Sequence, residues 1–538
     1  MAGIVGIISI LSGALLLLAR LLVIGRRPKG YPPGPPTLPV LGNLHQIRST
    51  ELHKQLQKWA QQYGSVFTLM LGTKTMVVLS SDIAVKEVLD KQSAITNERG
   101  DHYVGHEILS GGERMLLMPA GPKWRLQRKM MQRMLNVQVA KSYLPYNIIE
   151  GKQMLYDLLQ SPDDFLYHIK RYSNSLSTSM TYGWRTPTYD DPTMRQFLQG
   201  MEYFTEVMQT TTASLVDVYP VLRYLPHFMQ PTLKAASNWH KEETKFYLRL
   251  WNDVKEKIAQ GTANPCFTAD LLQAQKEEAF PDKFGAYLAG GSLEAGTDTT
   301  SNTLYGFVQA MVLFPDVQKA AQAELDRVVG GRLPVMEDLP ELRYIRSCVK
   351  ESLRWMPTAI TGAAPHAAKQ DIQFMGYVIP KGSLIVNNVY TIHNDPKRYP
   401  NPKKFDPARY LNDTQTASEA ALNSDVSKRD HFTFGAGRRL CAGMHVAEQS
   451  LFLGISHILW AFDIRPAKDE NTGKDLLPDQ DKYTEANVCM PAPYSAIITP
   501  RSEQKAEKIR EEWHKAQNEL TEHGQWKQIP QGMKFNAI

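Results

Sequence analysis

Residues 2–24 are apolar or small at every position except Arg20, and this run constrains where the rest of the chain can go. As a helix rising about 1.5 Å per residue it reaches roughly 35 Å, enough for a hydrocarbon core of about 30 Å. A cleaved signal peptide carries its positive charge ahead of the apolar stretch, whereas here Arg26, Arg27 and Lys29 follow it. The segment is therefore expected to stay as a transmembrane signal-anchor helix. Positive charge on the exit side places the body in the cytosol, with Arg20 able to snorkel towards that interface. Residues 25–44 form a basic, proline-rich hinge: in Tyr31-Pro-Pro-Gly-Pro-Pro-Thr-Leu-Pro39, five prolines fix φ and remove donors, which stops both helix and sheet.

Beyond the hinge helical periods dominate, with strand-like runs only near 66–79 and 372–389, so the expected fold is mainly α with minor β. The chain is long enough, at 538 residues with 43% hydrophobic content, for a large core. No repeat and no Gly/Ser linker divides residues 45–500, which are read as one catalytic domain. The charged tail, 501–538, is helix-prone at its start and is expected to be a solvated appendage. A net charge of +6 is too weak to argue for nucleic acid. The four cysteines, Cys266, Cys348, Cys441 and Cys489, are too far apart for a disulfide framework or zinc ribbon. Asn412-Asp-Thr414 matches a glycan acceptor pattern that a cytosolic body would never present to the glycosylation machinery.

One cysteine stands apart. Phe434-Gly-Ala-Gly-Arg-Arg-Leu-Cys-Ala-Gly443 puts Cys441 between glycines at the start of an apolar helical pattern. Backbone N–H groups and the positive helix end favour a thiolate there. Gly435 and Gly437 permit a tight loop, Gly443 permits close approach, and Arg439 offers a guanidinium to a carboxylate. A lone cysteine is commonly just a small buried apolar residue; the spacing argues otherwise. Trp124-Arg-Leu-Gln-Arg128 sets an indole N–H and a guanidinium on one helix face, suited to a single anionic group. Glu351 and Arg354, in Lys350-Glu-Ser-Leu-Arg354, lie one turn apart, a pair that on a surface would contribute under about 1 kcal/mol. A long helical pattern over 282–314 carries Gly285, Gly290, Gly291, Gly296 and Gly306, each costing about 1 kcal/mol against Ala, which demands a reason.

Phe434-x-x-Gly437-x-Arg439-x-Cys441-x-Gly443 resembles the haem-binding signature of the cytochrome P450 monooxygenases, and the other motifs follow in that family's order. The resemblance implies a single large cytochrome P450 fold preceded by the N-terminal transmembrane helix. It implies haem b with Cys441 as its axial thiolate, and Phe434, Gly437, Arg439 and Gly443 around it. Trp124, Arg128 and His366, in Ala364-Pro-His-Ala367, take the positions of propionate contacts, although a satisfied structural histidine is nearly as good a reading of His366. Glu351, Arg354 and Arg409, the last in Phe405-Asp-Pro-Ala-Arg-Tyr410, match a buried network that holds the proximal loop; Asp406 stands where the family often has Glu. Ala295-Gly-Thr-Asp-Thr-Thr300 is similar to the oxygen-activation motif. There Gly296 would clear space for dioxygen and Asp298 and Thr299 would relay protons through water. A Thr-rich helix back-bonding its own carbonyls is the bland alternative.

The implied activity is insertion of one oxygen atom from O2 into a lipophilic small molecule, with hydroxylation or successive oxidation as outcomes. No strand followed by G-x-G-x-x-G occurs, so electrons are expected from NADPH through a separate NADPH-cytochrome P450 reductase. Lys123, Arg125, Lys129, Arg133 and Arg438 would form its basic dock. By family position the substrate surfaces are 103–117, 204–208, 288–292, 358–363 and 488–490, mainly apolar. Membership of the microsomal type implies the endoplasmic reticulum membrane, single-pass, with a cytosolic catalytic domain. Thr391-Ile-His-Asn-Asp-Pro396 and the segment after Cys441 look most like filamentous-fungal members serving secondary-metabolite biosynthesis. A catabolic or detoxifying aromatic hydroxylase, a haem-thiolate isomerase or dehydratase, and a non-enzymatic haem-thiolate sensor or carrier are the competing readings; the Asp298–Thr299 pair opposes the isomerase.

Overall fold

In the computed structural model, which describes residues 2–486 and 488–535, helix α1, Ala2–Val23, projects with Ile7, Ile8, Ile10, Leu15, Leu16 and Leu18 exposed. Val5–Val23 has a mean hydropathy of 2.3 and is long and apolar enough to cross a membrane. The hinge after it is packed down: Thr68 N–H donates to Pro33 O at 2.7 Å, and Asn43 Nδ2 to Pro36 O at 3.0 Å. Twelve further helices of twelve or more residues follow among the described residues. They are α2 Leu52–Tyr63, α3 Pro122–Met134, α4 Leu144–Gln160, α5 Phe165–Tyr182, α6 Pro192–Gln209, α7 Pro231–Ala259, α8 Phe267–Glu278, α9 Asp282–Leu313, α10 Pro315–Val328, α11 Arg343–Trp355, α12 Met444–Ala461 and α13 Glu503–Gln517. Several begin with proline in the first turn, where a missing N–H costs nothing.

The strands are few and short, as alternating β-branched runs of this length allow. β1 Val66–Leu71 and β2 Lys74–Leu79 form an antiparallel hairpin, with Val66 opposite Leu79. β3 Glu98–Arg99 pairs with β4 His366–Ala367, which sets Arg99 directly opposite His366. β5 Ile372–Phe374 and β6 Tyr377–Ile379 make a separate hairpin. β7 Leu384–Asn387 lies between β2 and β4 and completes a five-stranded sheet in the order β1-β2-β7-β4-β3. β8 Phe462–Lys468, β9 Asp475–Leu476 and β10 Ala496–Pro500 form the third sheet.

The main core joins side chains of α4, α5, α9, α11 and α12, and a second core packs α7 and α8 against the first half of α9. This explains part of the glycine content of α9. A Cβ at Gly285 would fall 2.3 Å from the Trp251 ring of α7, so glycine there lets the two helices cross closely.

The tail differs from the solvated appendage expected from its charge. Ala506, Ile509, Trp513 and Ala516 recur at helical spacing on one face of α13 and are buried. Leu520 and Trp526 join the same core, Trp526 with its ring 5.7 Å from Tyr146. Charged residues dominate the composition of this segment, but they occupy only its outer face.

Candidate active site

The loop carrying Cys441 is moored before it reaches the cysteine. Thr433 Oγ1 donates to Leu353 O of α11 at 2.7 Å, and Phe432 N–H donates to His393 Nε2 at 2.7 Å. His393 Nδ1 in turn donates to Arg354 O at 2.8 Å, so a neutral, fully buried imidazole bridges loop and helix. Gly435 and Gly437 adopt φ of +79° and +59°. At 437 a Cβ would lie 2.1 Å from Leu89 O, while the Gly437 N–H is held by Asp90 Oδ1 at 2.8 Å. Phe434 packs edge-on against His431 at 4.8 Å. Cys441 N–H closes the loop on Phe434 O at 2.8 Å, just before α12 begins.

Burial pushes the Cys441 thiol up, while the Gly443 N–H and the Arg128 guanidinium pull it down. The sulfur is thus a thiol in the protein alone, with two donors ready for its anion. Gly443 has φ −91° and no protein atom within 4 Å of the position a Cβ would take. That side of the loop is open at Gly443.

Three guanidiniums gather beside the loop with no ion pair to a carboxylate among the described residues, although the Glu98 charge reaches Arg439. Arg439 donates to Asn97 O at 2.9 and 2.8 Å and to Met118 O at 2.7 Å, and lies 4.3 Å over the Trp124 ring. Arg99 donates to Leu116 O at 2.9 Å and Ala364 O at 2.5 Å. Arg128 donates to Leu440 O, and its buried Nε has no acceptor. Burial and mutual repulsion push Arg439 down to about 9, burial alone brings Arg99 to about 10, and burial lowers Arg128. Cations held only by carbonyls at this depth are costly unless an anion joins them. The two carboxylates of a haem supply that anion, so the residues present fit the group. His366 sits beside them with Nδ1 donating to Thr96 O at 2.9 Å, and burial next to Arg99 drives its pKa down to about 3. In this form Nε2 carries a lone pair and offers no N–H to a carboxylate.

Behind the loop, Glu351 is fully buried and takes both arms of Arg354, Nε and Nη2, at 2.7 Å each. Arg409 Nε lies 3.4 Å from Glu351 Oε1, and Asp406 N–H donates to the same oxygen at 2.8 Å. Such a pair is structural, and its value lies in geometry more than net stability.

On α9 the expectation for Gly296 is corrected. A Cβ there would fall 2.4 Å from Ser177 Oγ of α5, and Ser173 Oγ donates to Gly296 O at 2.9 Å. Gly296 therefore admits α5, whereas Ala295 is exposed in mid-helix and Thr299 is half-buried. The Thr299 hydroxyl donates to Ala295 O at 2.6 Å, which leaves its oxygen free to accept. Asp298 is pushed up to about 6 by burial, with Lys170 opposing and Glu294 reinforcing the rise. A carboxyl that holds its proton near neutrality suits proton transfer.

Four of the five apolar stretches meet in pairs. A Cβ at Gly105 would touch Leu117 Cδ1 and Met208 Sδ, both at 2.8 Å, which joins 103–117 to 204–208. Cys489 N–H donates to Thr358 O at 2.7 Å, and Asn302 of α9 reaches Cys489 O at 3.4 Å. Of the basic residues, Lys123 pairs with Glu113 at 2.7 Å, Lys129 with Glu278, and Arg133 with Glu277 at 3.8 Å. Arg125 and Arg438 are exposed with no ion pair among the described residues.

Sequence reasoning missed Arg99, because a two-residue strand leaves no pattern, and Asp90, whose role depends on a contact across the fold. His393 lies in a motif already quoted, but nothing local announced its bridge.

Comparison with known proteins agrees with this geometry. The family model for cytochrome P450 matches residues 32–484. The cytochrome P450 monooxygenase virE of Hypocrea virens is 48% identical over 97% of this chain and 94% of its own length. The cytochrome P450 monooxygenases fogE of Aspergillus ruber and fsoB of Humicola fuscoatra are 44% and 45% identical, covering 97% and 98% of this chain and 98% of each relative.

Proposed function

The chain belongs to the cytochrome P450 family, and on that premise we propose that Cys441 is its axial ligand and that it oxidises a lipophilic small molecule in fungal secondary-metabolite biosynthesis. It is an oxidoreductase, a haem monooxygenase that uses O2, a substrate and electrons from an external redox partner. The observation that carries the site assignment is the gathering of Arg99, Arg128 and Arg439, each bonded only to carbonyls, around the Cys441 loop.

When bound through an anionic sulfur, haem supplies the activation of dioxygen, for which thiolate donation is better suited than imidazole. The protein's own residues do the rest. Gly443 N–H and Arg128 stabilise the sulfur anion. Arg439, Arg99 and Arg128 would hold the propionates, with the Arg439 guanidinium stacked on the Trp124 ring. Glu351, Arg354 and His393 keep the loop at one distance from α11. On the other side Asp298 holds a proton and Thr299, its hydroxyl turned to Ala295 O, accepts a hydrogen bond from water in the pocket.

Membrane attachment is supported by a second feature besides α1. Val221, Tyr224, Phe228 and Met229, between α6 and α7, are 71%, 88%, 84% and 54% exposed. This segment lies on the anchor side: Tyr219 Oη donates to Val40 O at 3.0 Å, and Val40 N–H to Ile24 O at 2.8 Å. An apolar patch continuous with the anchor favours lipid. The membrane proposed is that of the endoplasmic reticulum, with the body cytosolic and an NADPH-cytochrome P450 reductase as partner, docking on Arg125 and Arg438.

The test is coupling. With Asp298→Asn or Thr299→Ala, haem is retained and NADPH oxidation diverts to peroxide. Full coupling of both variants removes these residues from the proton path. Loss of an oxidised metabolite from a strain lacking the protein identifies the substrate.

A further inference from the structure

Glu294 lies one helical turn ahead of Asp298 on α9, and its carboxylate is built into an ion cluster that spans several elements. Arg114, 7% exposed, donates Nη2 to Glu243 Oε1 at 2.6 Å and pairs Nη1 with Glu294 Oε1. Tyr247 Oη donates to the same Glu294 oxygen. Tyr287 Oη donates to Glu243 Oε2 at 3.1 Å and lies 2.9 Å from His240 Nδ1 and 3.0 Å from Thr244 Oγ1. Lys283 Nζ is 3.5 Å from His240 Nε2 at the outer end. The Arg114 guanidinium also lies 4.2 Å over the Phe204 ring, so the segment before α3 is tied to α6, α7 and α9. From α5, the buried Tyr182 hydroxyl has no hydrogen-bond partner and feels the Glu294 charge.

The charges do not balance. Glu243 and Glu294 share one guanidinium, Arg114, while the cation acting on Asp298 is Lys170 of α5. Glu294 shares Arg114 with Glu243, whose carboxyl burial pushes up. Because Arg114 and Tyr247 both hold Glu294, it cannot swing into solvent.

Resting on the reading of Asp298 as a proton donor to the distal pocket, we propose that Glu294 is its positioning residue, an anchored negative charge one helical turn away that favours the protonated form of Asp298. A like charge disfavours ionisation of its neighbour in a medium of reduced dielectric. The direction agrees with the Asp298 carboxyl, which burial raises most, Lys170 lowers, and Glu294 raises by the smallest of the three effects. In each cycle the Asp298 O–H releases its proton to pocket water, and a proton from solvent replaces it; no other bond changes.

The experiment uses the full-length, haem-loaded protein with its reductase and reads two quantities against pH: product formed per NADPH, and the infrared stretch of the protonated carboxyl that disappears in Asp298→Asn. Glu294→Gln is expected to move both midpoints down by about half to one pH unit, while Glu294→Asp, which keeps the charge, leaves them within about 0.2 unit. Unmoved midpoints in Glu294→Gln with normal haem loading overturn the proposal. If the Gln variant does not load haem, the Asp variant decides: an unshifted pair of midpoints supports the charge role and a downward shift contradicts it. If Asp298→Asn stays fully coupled, the proton-donor reading falls by itself, because the infrared titration still reports whether Glu294 sets the Asp298 midpoint.

Discussion

Trp526→Ala measures whether the C-terminal segment belongs to the folded body. The indole is 8% exposed, and its neighbour Gln525 brackets Arg185: Oε1 accepts the Arg185 N–H at 2.9 Å and Nε2 donates to Arg185 O at 2.8 Å. Arg185 Nη1 also donates to Gly524 O at 3.0 Å, and its Nε reaches Glu150, both of them fully buried side chains. Truncating a buried indole costs about 3–5 kcal/mol, and the slight rim exposure favours the lower end. At about 2.1 cal/mol/K per residue, 538 residues give an unfolding entropy of about 1.1 kcal/mol/K, so about 3 kcal/mol lowers Tm by roughly 3 °C. Calorimetry of the haem-loaded protein resolves a shift of that size, and Trp526→Phe should recover more than half of it. The visible spectrum at low temperature should not change, because Trp526 touches the α4 side of the core and not the cysteine loop. A Tm unchanged in the Ala variant would refute the packing of this segment.

Three further outcomes follow from buried charge and backbone geometry. Glu351→Ala leaves Arg354, 1% exposed, without its counter-ion, a loss of about 3–5 kcal/mol; the yield of haem-loaded protein should collapse, and a normal yield would show the network to be dispensable. Gly437→Ala forces a Cβ to within 2.1 Å of Leu89 O at φ +59°, so haem loading should fall sharply, whereas Ala at Gly443 should fold as apoprotein and fail only on haem uptake. For Asp298, the folded pKa of about 6 exceeds the ordinary carboxyl value, so the native state holds the proton more tightly and loses stability as pH rises from about 4 to 6, by up to about 3 kcal/mol. Asp298→Asn should therefore raise Tm by about 2–3 °C at pH 8 and by only about 1 °C at pH 4.5; equal effects at both would contradict the shift.

What could be read from the sequence was whatever is written in consecutive residues. The loop from Phe434 to Gly443, the Glu351–Arg354 turn, the apolar anchor and the 66–79 strand run each carry their geometry in local spacing, whereas 372–389 divides between the separate β5–β6 hairpin and β7 of the five-stranded sheet. The orientation of Gly296 was not legible, because which helix face meets α5 depends on Ser173 and Ser177, more than a hundred residues away. Arg99 comes beside Arg439 because Arg439 donates to Asn97 O, two residues ahead of it, from more than three hundred residues away. Arg114 finds Glu243 and Glu294 across the fold, and no spacing rule links them. The tail misled because its lysines and glutamates outnumber the few apolar residues that decide its packing, Ile509, Trp513, Leu520 and Trp526.

The account depends on the Cys441 sulfur as the group that binds iron. The reduced, carbon monoxide-treated spectrum of the wild-type protein and of Cys441→Ser tests this directly, read at equal haem content. The wild type should show the strongly red-shifted band of thiolate ligation and the Ser variant should lack it; the same band in both, or an imidazole-type band in the wild type, would contradict the account.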